Sequence, residues 1–228
     1  MLTILLLLLG NEIMAQPLRI NWQTCFDLSG REIIADIEPV SDGYFILQMY
    51  VGEYEDGQIL LRRITESGEL IWEKQYGGSL GEGAVKISKT NDNNFIIMGA
   101  TASTDGDVTN NPYPNSYSHW LIKIDSSGNI IWDKVLGNTS KNKMEDGILT
   151  DNGIILYGWV AGGGGDVTNY YGGYDAWVIK TDLEGNKLWD YTIGKSSLDF
   201  GFCISETSDK GVLLGGSSLV DEGTGGNI

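Results

Sequence analysis

The chain has 228 residues, with 31 acidic against 15 basic side chains, a formal charge of −16 and a pI near 4.3. Such a surface repels phosphate backbones, so nucleic acid and anionic membrane are poor partners. Seven Trp and eleven Tyr exclude a disordered acidic tail, and 32 Gly against 4 Pro favour tight turns and short strands over long helices.

The chain opens "MLTILLLLLGNEIMAQP". The apolar run from Leu2 to Leu9 is too short to cross a bilayer, which needs about 20 apolar residues. With the small residue Ala15 it predicts a secretory signal over residues 1–15, although no Lys or Arg precedes the run. The alternative is a buried N-terminal strand. The expected location is therefore secreted or cell-surface, without membrane insertion. Cys25 and Cys203 read as small apolar strand residues, with a disulfide between them as the alternative.

From residue 16 onward one repeat domain is predicted, with units near 26–78, 79–137, 138–194 and 195–228. The period shows in the tryptophans. Trp22, Trp72, Trp132 and Trp189 recur at intervals of about 50 to 60 residues, the last three in "SGELIWEKQYGGS", "SGNIIWDKVLGNT" and "EGNKLWDYTIGKS". Upstream of each lies a second shared phrase, "QILLRRIT", "HWLIKID" or "AWVIKTD". The second unit divides into four strands, Ala84 to Thr90, Phe95 to Thr101, His119 to Asp125 and Asn129 to Leu136, separated by turn sequences such as "NDNN" and "DSSGN". No segment sustains a helical period, so the class is all-β.

A four-stranded unit of this length cannot bury both faces alone. Radial stacking covers each face with a neighbour, which predicts a β-propeller of about four antiparallel blades. Trp72, Trp120, Trp132, Trp177 and Trp189 are then structural core between blades, and truncating Trp132 or Trp177 costs about 3 to 5 kcal/mol. Exposed sugar-stacking is their functional alternative. "PLRINWQTCF" reads as a fourth strand preceding any first strand, while the last unit supplies only strands at Phe200 to Thr207 and Val212 to Val220. The last blade is thus incomplete, as in a fragment of a larger ring.

The word "DGDVTN" at 105–110 returns as "GGDVTN" at 164–169, each time in the long connection between second and third strands. Loops beyond about 12 residues are uncommon unless functional. Asp105, Asp107 and Thr109, with Asp166 and Thr168, offer oxygen ligands to calcium, the one cofactor in question; an Asx-type turn is the simpler reading. Tyr113, Tyr117, Tyr170, Tyr171 and Tyr174, with Trp159, offer a rim for a glycan or protein partner. His119, the single histidine, reads as a surface strand residue and not a base. No nucleophile elbow or phosphate-cradling motif appears.

The phrases "TASTDGDVTNN…HWLIKIDSSGNIIWDKVLG" and "VAGGGGDVTNYYGGYDAWVIKTDLEGNKLWDYTIG" resemble the repeats of secreted β-propeller proteins of Bacteroidetes, whose unit runs roughly "DGGY", "GxTxSxDGDV", "GxxDxWVxKLDxxGxxxW" and "KxxGGS". The resemblance covers nearly all of residues 20–220 and is weaker in the first unit, which lacks the "DGDV" loop. It implies a fold and an exported, surface compartment, often with a type IX sorting domain that is not recognised in this sequence. It implies no activity. The expected function is a non-catalytic binding scaffold, the alternatives being a lectin-like module or a fragment of a propeller enzyme.

Overall fold

The computed structural model describes residues 20–25, 31–51 and 57–219; the expected signal segment lies outside them. Every named element is a strand: β1 (Arg31–Val40), β2 (Gly43–Val51), β3 (Gly57–Thr65), β4 (Leu70–Tyr76), β5 (Glu82–Lys89), β6 (Phe95–Thr101), β7 (Ser118–Ile124), β8 (Ile130–Leu136), β9 (Asn142–Thr150), β10 (Gly153–Val160), β11 (Asp175–Thr181), β12 (Lys187–Ile193), β13 (Asp199–Glu206) and β14 (Val212–Ser218). They form antiparallel meanders β1–β4, β5–β8 and β9–β12 and a two-stranded sheet β13–β14. The all-β class holds, and the strands of the second unit fall within two residues of their expected bounds. Among the described residues no helix is long and apolar enough to cross a membrane.

The sheets pack face to face in chain order. Alternation along each strand sends one side chain back to the preceding sheet and the next forward to the following one. In β6, Phe95 and Ile97 join the core shared with sheet 1, whereas Ile96 and Met98 join the core shared with sheet 3. In β10 the pattern repeats: Ile154 and Leu156 point back, Ile155 and Tyr157 forward. The central stretches of β6 and β10, Phe95 to Met98 and Ile154 to Tyr157, are therefore continuously apolar, as strands buried on both faces are. Trp120 and Trp177 are fully buried in the first and second of these cores.

First strands lie next to first strands, β1 against β5, β5 against β9 and β9 against β13. Each carries a register break, between Ile34 and Asp36, Ala84 and Lys86, and Gly201 and Cys203, with β9 breaking opposite Tyr157 and Gly158. The bulged residues are Ala35, Val85, Glu145 and Phe202. The residue after the bulge latches sheets together. Asp36 accepts from the Ile87 amide at 3.1 Å, Asp146 accepts from the Ile204 amide at 3.0 Å, and Lys86 pairs with Asp146 at 3.4 Å.

Four expectations need comment. His119 is completely buried, because its side chain faces forward onto the Trp177 ring at 5.0 Å between centroids. Trp189 is 46 % exposed, since no strand pair covers its sheet there among the described residues. Residues 20–25 form no named strand, only a bridge at Thr24. Cys25 and Cys203 are both exposed and no disulfide joins them; Cys203 lies in a strand as expected, whereas Cys25 lies in no named strand.

Candidate functional site

The repeated loop word is a clamp. Val108 and Val167 are buried in the first and second inter-sheet cores. The Thr109 amide donates to Asp133 at 3.2 Å and its hydroxyl donates to the same carboxylate, which also accepts from the Trp120 indole N–H at 3.0 Å. Unit three repeats this: Asp190 accepts from the Thr168 amide at 2.9 Å, the Thr168 hydroxyl and the Trp177 indole at 3.0 Å. Lys187 adds an ion pair at 2.8 Å. Burial pushes the Asp190 pKa up, but the donors from Lys187, Thr168 and Trp177 outweigh it and hold it below the usual carboxylate value.

The acidic residues of the word face the preceding inter-sheet link. Asp107 accepts from the Gly77 amide at 3.2 Å, Asp105 from the Ser79 amide at 2.8 Å and Asp166 from the Gly137 amide at 2.9 Å. The Tyr113 hydroxyl donates to Asp166 at 3.0 Å and so ties one long loop to the next. Burial first, then Asp166, raises the Tyr113 pKa to about 12. The five residues expected as calcium ligands are thus engaged with backbone amides or with Asp133 and Asp190. Among the described residues no three acidic, Cys or His side chains converge to hold an ion.

A sequence signal for this clamp exists. Both units that carry "DVTN" also carry Trp in the third strand and Asp directly after the fourth-strand Trp. Unit one has Leu60 and Glu73 at those positions, and Glu73 serves instead to pair with buried Arg62 at 2.7 Å.

A cleft of about 940 Å³ lies at the ends of β5 and β9, where the β6–β7 and β8–β9 connections meet. The bulges aim Ala35, Val85 and Glu145 into it, a re-aiming that ordinary alternation would not give. Its polar edge comes from Asn115, Ser116, Ser140, Lys141 and Lys143, its aromatic surface from Tyr117 and Trp159. Trp159 is fixed from behind: its indole donates to Glu145 at 3.1 Å, and its ring meets Tyr174 and Phe200 edge-on at 5.0 and 5.6 Å. Lys143 pairs with Glu145 at 2.9 Å. Glu82 forms part of the wall, and both its oxygens are occupied, one by the Thr101 hydroxyl at 2.8 Å and the other by Gln58 at 2.9 Å. Burial raises its pKa, against the hydrogen bonds from Ser103, Thr101, Gly78 and Gln58.

Of the five tyrosines expected on one rim, Tyr117 lines the cleft and Tyr174 supports Trp159. Tyr113 bridges loops, while Tyr170 and Tyr171 are exposed elsewhere and do not line the cleft. Glu145, Lys141 and Lys143 escaped the sequence reading, because nothing local marks a bulge. A scan against models of known protein families finds none that matches the chain, and a search of curated proteins finds no match.

Proposed function

We propose that the chain is part of a β-propeller acting outside the cell as a non-catalytic interaction scaffold, with the cleft between its first strands as the ligand seat. Three four-stranded meanders of one topology and a two-stranded fourth sheet, stacked face to face with first strands adjacent, support the propeller reading. The observation that carries the binding role is the convergence of three bulged residues, a braced Trp159 and two exposed lysines on one cleft. The non-catalytic reading draws support from His119, enclosed between sheets, and from Glu82, whose oxygens are both engaged. The N-terminal apolar run supports export.

A lectin-like role is the second reading, favoured by Tyr117 and Trp159 beside Asn115, Ser116 and Ser140, since an aromatic face with amide and hydroxyl neighbours suits a sugar ring. Labelled protein applied to arrays of glycans and of unstructured peptides tests both. Binding that falls at least tenfold in W159A and in K141E/K143E supports the cleft; glycan hits alone favour the lectin. Hits indifferent to both variants, or no hit on either array, would overturn the proposal.

A further inference from the structure

A pair of polar side chains recurs at each seam between sheets, one from the start of a third strand and one from the start of the next sheet's first strand. In the first seam Gln58 of β3 donates to Glu82, the first residue of β5, at 2.9 Å. In the second, Ser118 and Asn142 hold the same posts, and the Asn142 amide donates to the Tyr117 carbonyl at 2.9 Å. The third seam carries two acids. Asp175 opens β11, Asp199 opens β13, and both are buried, at 0 % and 6 % exposure.

The two carboxylates crowd one spot. A methyl group on Gly194 would stand 2.1 Å from Asp175 Oδ1 and 2.9 Å from Asp199 Oδ2. The Lys195 amide donates to Asp199 Oδ2 at 2.9 Å and the Tyr171 amide to Asp175 Oδ2 at 2.6 Å. Asp175 Oδ1 is buried with no donor in hydrogen-bonding geometry among the described residues. Where the first seam sets an amide donor against a carboxylate, the third sets two acceptors together, and buried carboxylates that share a site do not both ionise without a large cost. The strands packed around them bring no opposite charge: β10 sets Val160 opposite Asp175, β12 sets Ile193 opposite Ala176 and β14 sets Ser218 opposite Asp199. Tyr171, Tyr174 and Lys195 face the pair through backbone groups, and the Lys195 side chain is exposed. Burial raises the Asp175 pKa, the Tyr171 and Gly172 amides oppose the rise, and the Asp199 charge adds to it.

This pair stands directly behind the cleft. Tyr174 precedes Asp175 and Phe200 follows Asp199; their rings meet at 5.4 Å, and both brace Trp159. The Asp199 amide donates to the Tyr174 carbonyl at 2.7 Å, which couples the two strand starts. We propose that Asp175 and Asp199 hold one proton between them in the folded chain, and that its release drives the two strand starts apart and loosens Trp159, a pH-sensitive device behind the ligand seat. The regulatory part rests on the reading of the cleft as that seat; the shared proton does not. A proton on Asp175 Oδ1 supplies the donor that Gln58 supplies in the first seam. A carboxyl that holds its proton more tightly folded than unfolded favours the fold at low pH, an advantage lost as pH rises through its raised pKa.

Asp175→Asn places a permanent donor at this position. In urea titrations its midpoint should exceed that of wild type at pH 8, and the gap should close as pH falls toward 4. Asp199→Asn, which offers the donor from the other side, should behave alike. Acrylamide quenching of Trp159, taken as the difference from W159F in each background, should rise about twofold from pH 5 to pH 8 in wild type and stay flat in Asp175→Asn. A gap that ignores pH, or both variants less stable than wild type at pH 8, would overturn the shared proton. So would a wild-type midpoint raised by potassium or calcium at constant ionic strength but unmoved in Asp175→Asn, because a cation would then fill the gap. Trp159 quenching without a pH response would overturn the link to the cleft. None of these readouts needs a ligand, so they stand apart from the array result on which the cleft reading depends.

Discussion

His119 shows how much one register position decides. Cross-strand pairing sets Ile59 opposite Tyr76, His119 opposite Leu136 and Ala176 opposite Ile193, so His119 occupies an apolar forward-facing column. Sequence placed it at the surface, but a single register position separates the two faces of a strand, and this one faces the next sheet. Burial lowers the His119 pKa to about 4, offset in part by a backbone hydrogen bond with Lys143. With the unfolded value near 6.5, this contribution to stability is complete above pH 6.5. It is lost as pH falls toward 4, because the unfolded chain takes up the proton first, and it amounts to about 3 kcal/mol. In urea titrations at pH 7 and pH 4.5, H119I should lose markedly less stability than wild type, and equal losses would contradict the assignment. Gly128→Ala is the second residue-scale prediction. A side chain there meets both positive φ and the Trp72 ring, at a cost of about 2 to 4 kcal/mol, read as a lower urea midpoint with unchanged slope.

At the scale of elements, strand limits and turns were legible because they are local. Apolar runs bounded by "NDNN" and "DSSGN" mark β6 and β8 almost to the residue. The purpose of the long loops was not legible, since the groups that answer Thr109 and Thr168 lie more than twenty residues downstream and meet them only once the sheet has formed. Asp190 is the hub of its loop. Asp190→Ala leaves the buried Trp177 N–H without its acceptor and releases Thr168, a loss of about 3 kcal/mol. Hydrogen exchange should rise over 164–169 while β10 and β11 stay protected; a loop as protected as before would show that Val167 alone holds it. Asp190→Asn keeps one acceptor oxygen and should lose about half as much.

For the whole molecule, sequence could announce the stacking of units but not which faces remain open, because exposure depends on what lies against the last sheet. Trp189 has the same sequence surroundings as Trp132, yet only Trp132 meets a glycine turn. The stack is a chain of nearest-neighbour interfaces, so its stability is set locally at each seam. Among the described residues β14 pairs with β13 alone and shows Leu213 to solvent, which makes this the least supported sheet of the stack. A free strand edge with an exposed apolar side chain is a template for intermolecular pairing, and a charge on its open face opposes that pairing without removing any core contact. Leu213→Lys should therefore reduce concentration-dependent association in sedimentation velocity. The Tm should move little, because a surface substitution away from packing changes stability by about 0.5 kcal/mol or less. A loss of Tm comparable to that of a core truncation would mean that Leu213 is covered in solution, and association unchanged at full stability would place the contact on another face. Amide exchange separates the two results, since only an open β14 exchanges ahead of β6 and β10 in the same protein.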